Sequence, residues 1–136
     1  MAKKKTWLEK FEEPRKPQIK KVEMKFADIP ANSQMLIPTP KLIDEYIQQI
    51  GFGRKVEIKT MRKDLALMHR AEYTCPVTTG IFLRIVAEAG YEKWQLGHPL
   101  TSITPFWRVI SPDSLLARKL SFGSQFIIDQ RELEYD

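Results

Sequence analysis

Cysteine, histidine and glycine are all scarce in this chain, and each scarcity closes a class of function. A single cysteine, Cys75, excludes an internal disulfide framework. With only two histidines beside it, a Cys/His metal cage has too few ligands, so neither a metal nor a cofactor is expected. The six glycines are scattered, and no glycine-rich phosphate loop can be built from them. Apolar residues never run long enough to span a bilayer, so no membrane partner is expected. The N-terminus, Met1-Ala-Lys-Lys-Lys, is basic but lacks the apolar stretch of a signal peptide. These absences point to a soluble chain in a reducing, cytoplasmic setting.

What is present describes a globular domain. The 136 residues are 43% apolar and 29% charged, enough for one hydrophobic core and too apolar for a disordered chain. Charge is more informative by position than by total. Residues 1–25 hold nine Lys/Arg and four Asp/Glu, whereas the remainder holds thirteen of each. The whole net charge of +5 therefore lies in the first 25 residues. Phosphate binding grows with the number of basic contacts, so a neutral body predicts weak DNA affinity without this segment.

Residues 1–35 read as a basic, partly ordered arm, since Pro14, Pro17 and Pro30 break any long helix. Within it Trp7, Leu8 and Phe11 are spaced to dock one helical turn on the domain of residues 36–136. Thr39-Pro40 starts a helix, which Leu42, Ile43, Tyr46, Ile47 and Ile50 continue and Gly51 ends. Val56 and Ile58 suggest a short extended piece, and Thr60 then caps a second helix reaching about Arg70. Thr74-Cys75-Pro76 starts a third, whose buried face is Val77, Ile81, Phe82, Ile85, Val86 and Ala89, ending before Gly90. Two helices joined by a turn, over residues 60–89, read as a helix-turn-helix. Residues 103–110 form an extended strand or buried loop, and Ser124 caps a last helix through Phe126, Ile127 and Leu133.

The stretch Ile103-Thr-Pro-Phe-Trp-Arg-Val-Ile110 carries a resemblance. It is similar to the active-site signature Pro-Cys-His-Arg-Val of the methylated-DNA–protein cysteine methyltransferases. Pro105, Arg108 and Val109 match that signature, while Phe106 replaces its acceptor cysteine and Trp107 its histidine. Cys75-Pro76 with Val77-Thr-Thr-Gly80 resembles the start of the family's recognition helix, and His98-Pro99 stands where the family has an Asn-Pro hinge. The similarity spans roughly residues 38–133. It implies an α-rich α+β, winged-helix-like domain that binds double-stranded DNA through the helix-turn-helix. Alkyl transfer needs an activated thiolate, which a phenyl ring cannot supply, so the resemblance implies a non-enzymatic relative. Such a protein would flag lesions for repair proteins or compete with them. Its expected DNA contacts are Thr78, Thr79, Gly80, Arg84, Lys59 and Arg62, and its expected base pocket is Pro105, Phe106, Trp107, Arg108 and His98. The family's arginine finger is missing, because Gly80 or a neighbouring threonine stands at its place.

Each feature also has a plainer reading. Phe106 and Trp107 can stack on an extruded base, or fill the vacated site as core. Arg108 can reach a phosphate, or pair with a carboxylate and order its loop. Thr78, Thr79 and Gly80 suit a groove, and equally suit close helix packing. Cys75 at a helix N-terminus is a conceivable nucleophile, against the reading of a buried structural thiol. The neutral body and missing finger leave a second function open: a protein-interaction module that has lost nucleic-acid binding.

Overall fold

The computed structural model describes residues 4–135, so the first three residues of the expected arm and the final aspartate lie outside it. The architecture is helix-rich α+β, with six α-helices and one small three-stranded sheet among the described residues. Helix α1 (Trp7–Glu12) is the docked turn that the Trp7, Leu8, Phe11 spacing predicts. A capping box closes it: Thr6 Oγ1 accepts the Glu9 N–H, and the Glu9 carboxylate accepts the Thr6 N–H. The carboxylate of Glu92 accepts the Trp7 and Leu8 N–H groups at 3.3 and 3.4 Å, pinning α1 to the long central helix.

The rest of the expected arm is not a free extension. β1 (Gln18–Val22) pairs antiparallel with β2 (Ser33–Ile37), which crosses the expected boundary at residue 35. Between them Ile29 is fully buried and Phe26 and Ile29 exchange backbone hydrogen bonds, so the tip folds back on itself. Asn32, at φ +67°, supplies the left-handed turn into β2 that its short amide side chain tolerates. β2 then pairs parallel with the two-residue β3 (Tyr73–Thr74).

Helix α2 (Pro40–Gln48) starts as the Thr39-Pro40 pair requires, with Thr39 Oγ1 accepting the Leu42 N–H. Helix α3 (Ile58–Met68) begins two residues before the expected Thr60 cap, because the Glu57 carbonyl already accepts the Met61 N–H. The extended piece before it shrinks to Val56, whose N–H donates to the Arg108 carbonyl at 2.8 Å. Helix α4 (Pro76–Gln95) runs straight through Gly90 instead of stopping there. Its end is at Gly97, where φ +98° lets the Gly97 and His98 N–H groups reach back to the Trp94 and Lys93 carbonyls. Gly90 serves a different purpose: a Cβ there would meet Ile103 Cγ2 at 3.1 Å and the Phe106 ring at 3.3 Å.

Residues 103–110 form a buried loop with one 3-10 turn, Phe106–Arg108. Helices α5 (Leu115–Lys119) and α6 (Gln125–Tyr135) close the domain. The core joins Ile43 and Ile47 of α2, Met61 and Leu65 of α3, Leu83 and Val86 of α4, and Ile127 of α6. Beside it lies an aromatic cluster in which Phe106 contacts Trp107, Phe122 and Phe126 at centroid distances of 5.4–5.8 Å.

Candidate functional site

Helices α3 and α4 are joined by a tight turn at His69–Cys75, and Arg70 at φ +57° makes the reversal. The side chain of Arg62 fixes this turn. Its guanidinium grips both carboxylate oxygens of Asp28 at 2.9 and 2.8 Å and donates to the Thr74 carbonyl at 3.1 and 2.9 Å. In return the Thr74 hydroxyl donates to the Arg62 carbonyl at 2.6 Å. Arg62, expected as a DNA contact, is thus spent as a brace between α3, the hairpin tip and β3. The same guanidinium holds the Asp28 carboxyl below its ordinary range, with Lys59 a smaller contributor.

The other expected DNA contacts divide sharply. Lys59 is exposed on the first turn of α3. Thr79 is fully buried, its hydroxyl donating to the Cys75 carbonyl at 2.6 Å. The Thr78 hydroxyl is also enclosed, with no hydrogen-bond partner among the described residues. Gly80 faces open space. Arg84 ion-pairs with buried Glu88 at 3.3 Å and lies over the Trp7 ring at 5.2 Å. The outward face of α4 is therefore Val77, Gly80, Ile81 and Arg84, and the two threonines turn inward. Val77 and Ile81, read from sequence as core, are each 54% exposed. They line a concavity of about 690 Å³ shared with Trp7 and Lys10 of α1 and Leu116 and Lys119 of α5. Apolar residues surround α4 at nearly every position, so periodicity alone could not say which face was left open.

Around Phe106 and Trp107 the geometry is that of packed core. Phe106 is 0% exposed and Trp107 5%. Gly90 is what makes room for the Phe106 ring, which sits in packed core. Arg108 pairs with Glu134 of α6 at 2.6 Å and donates to the Ile50 carbonyl at 2.6 Å. Trp107 Nε1 donates to the same Glu134 carboxylate, and Arg131 donates to the Trp107 carbonyl at 2.7 Å. Pro105, Trp107 and Arg108 border an open concavity of about 450 Å³, but Phe106 lies behind its wall. His98 is exposed on the loop after α4 and is not among the residues that line it. The expected five-residue base pocket is not brought together. Glu134, which ties the signature to α6, escaped sequence reasoning because nothing marks it among the acidic residues of that helix.

Cys75 is 4% exposed, and its N–H donates to the Leu36 carbonyl of β2 at 2.8 Å. Among the described residues no three His, Cys, Asp or Glu side chains group to hold a metal ion, and no helix is long and apolar enough to cross a membrane. The lysines of the hairpin are exposed: Lys20 and Lys21 on the edge strand β1, Lys25 at the tip. Arg15 packs over the Phe82 ring at 5.0 Å, holding the α1–β1 connection against α4. No family model, no curated protein and no solved structure matches the chain.

Proposed function

We propose that this protein binds double-stranded DNA through α3 and α4 acting as a helix-turn-helix, and performs no chemistry on it. The observation that carries the reading is the outward face of α4. Its first turns present a small residue over open space, Gly80, between two exposed apolar side chains, with Lys10, Arg84 and Lys119 along the rim. A helix with that profile can lie close against a groove while its flanks meet phosphates. Lys59 on α3 and the hairpin lysines are further exposed cations. In this reading the domain is winged-helix-like, with the β1–β2 hairpin as the wing. The non-enzymatic part rests on Phe106, an enclosed phenyl ring where alkyl transfer would need a thiol.

A second reading is favoured by one specific observation: Val77, Ile81 and Leu116 make the same groove apolar enough to hold a partner protein's helix. Salt separates the two. Binding to a fluorescent duplex should weaken steeply as salt rises, and an alkylated guanine in the duplex should change affinity by less than about twofold. Ile81→Glu should abolish binding. Salt-insensitive capture of a protein partner through Ile81, with no duplex binding at any salt, would replace the first reading by the second.

A further inference from the structure

We infer that the cleft between α3, β3 and the hairpin tip binds a nucleotide, with Lys59 and Lys63 on its phosphate and Leu67 and Tyr73 against its base. The cleft encloses about 590 Å³, inside the range of roughly 300–1,000 Å³ usual for small-molecule sites. Its charged groups are not all available. Asp28 and Arg62 are committed to each other, and the Glu72 carboxylate, which accepts the Gln34 N–H at 2.9 Å, keeps its negative charge at the Tyr73 end, away from any phosphate held by the lysines. What remains is Lys59 and Lys63, neither of which has an ion-pair partner among the described residues. They stand one helical turn apart on α3, where like charges repel until an anion sits between them. Lysine binds phosphate as a point charge and needs no planar match, so two can converge on one phosphate.

The same face of α3 then changes character. One turn beyond Lys63 comes Leu67, 68% exposed, with Ala71 and the half-buried Tyr73 behind it. The cleft is cationic at one end and apolar and aromatic at the other. An inorganic anion would use only the first end, and a neutral aromatic only the second. A nucleoside monophosphate uses both, its base lying against Tyr73 and Leu67. Two sources carry that chemistry, a free nucleotide and the 5′-phosphorylated end of a strand. Only the strand-end source rests on the DNA reading above.

Calorimetric titration of the full chain tests it with deoxyadenosine monophosphate, deoxyadenosine and inorganic phosphate. The nucleotide should bind at least about tenfold more tightly than either fragment. Lys59→Gln with Lys63→Gln, both at exposed positions, should weaken it about tenfold or more. Leu67→Ser should erase the preference for nucleotide over phosphate while leaving phosphate affinity unchanged. A nucleotide no tighter than phosphate, or a double variant that binds like the parent, overturns the site. A duplex bearing a 5′-phosphate that binds more tightly than its 5′-hydroxyl twin assigns the site to strand ends. Equal duplex affinities with nucleotide binding intact assign it to free nucleotides. Loss of duplex binding alone would sink the DNA reading and leave this site standing.

Discussion

Phe106 and Gly90 are one device read from two helical turns of structure. The ring fills a space that a glycine on α4 leaves vacant, and each residue makes sense only with the other. Placing a thiol there by Phe106→Cys should therefore not produce alkyl transfer. The sulfur would remain enclosed, and the lost ring leaves a cavity costing about 3 kcal/mol. Denaturant melting should show that loss, and mass spectrometry after incubation with alkylguanine DNA should show no adduct on residue 106. A covalent adduct there would disprove the filled-site account. Gly90→Ala tests the other half. Alanine gains about 1 kcal/mol of helix propensity, but its methyl would press on Ile103 and Phe106 at 3.1 and 3.3 Å. Overpacking of that kind costs about 1–3 kcal/mol, so the clash should win and the melting temperature fall. A variant more stable than the parent would mean that the ring yields easily.

Among the elements, those with strong local punctuation were legible in the sequence and those held by distant partners were not. Thr39-Pro40 and Pro76 start α2 and α4 where their chemistry demands, and Trp7, Leu8 and Phe11 dock α1. The hairpin was invisible because β1 buries only Val22, giving no alternation of apolar and polar residues to read. Its tip is held instead by Asp28 against Arg62, residues 34 apart in sequence. Of the residues singled out on α3 and α4, Lys59 lies exposed and Gly80 faces open space, whereas the inward turn of Thr78 and Thr79 is decided by packing on all sides of α4. The Asp28 contact also sets a pH response. The folded carboxyl is held below its ordinary range, so its contribution is fully present above the unfolded value and is lost as pH falls through the lowered one. Because half of Asp28 is in water, the consequence is local: the hairpin tip should loosen in acid while the core stays folded. Amide exchange at Phe26 and Ile29 should quicken as pH falls below the ordinary carboxylate range, after correction for intrinsic rates, and Asp28→Asn should show that faster exchange already at pH 7. Protection that is independent of Asp28 would remove the brace from the account.

For the whole molecule, the question is what the uneven charge does once the basic segment is part of the fold. A loose tail would add phosphate contacts in any orientation. Lysines on an ordered hairpin add them only to a duplex that lies along the correct side, because β1 is tied to β2 and, through Asp28, to α3. Charge reversal at different places should then have unequal effects for each charge reversed. Lys20→Glu with Lys21→Glu should weaken duplex binding and lower the salt slope by about one if the hairpin is the wing of the bound face, because neighbouring strand residues point to opposite faces. Lys119→Glu, on the rim of the α4 groove, should lower that slope by about one. Reversal of Lys41, which pairs with Glu12 at 3.4 Å and does not line the α4 groove, should leave the slope unchanged. If the same loss per charge followed from all three changes, net charge would be the attraction and the α4 face would have no special part in it. Since the body outside residues 1–25 is electrically balanced, an oriented face is the one way such a protein can hold DNA more tightly than its charge alone would allow.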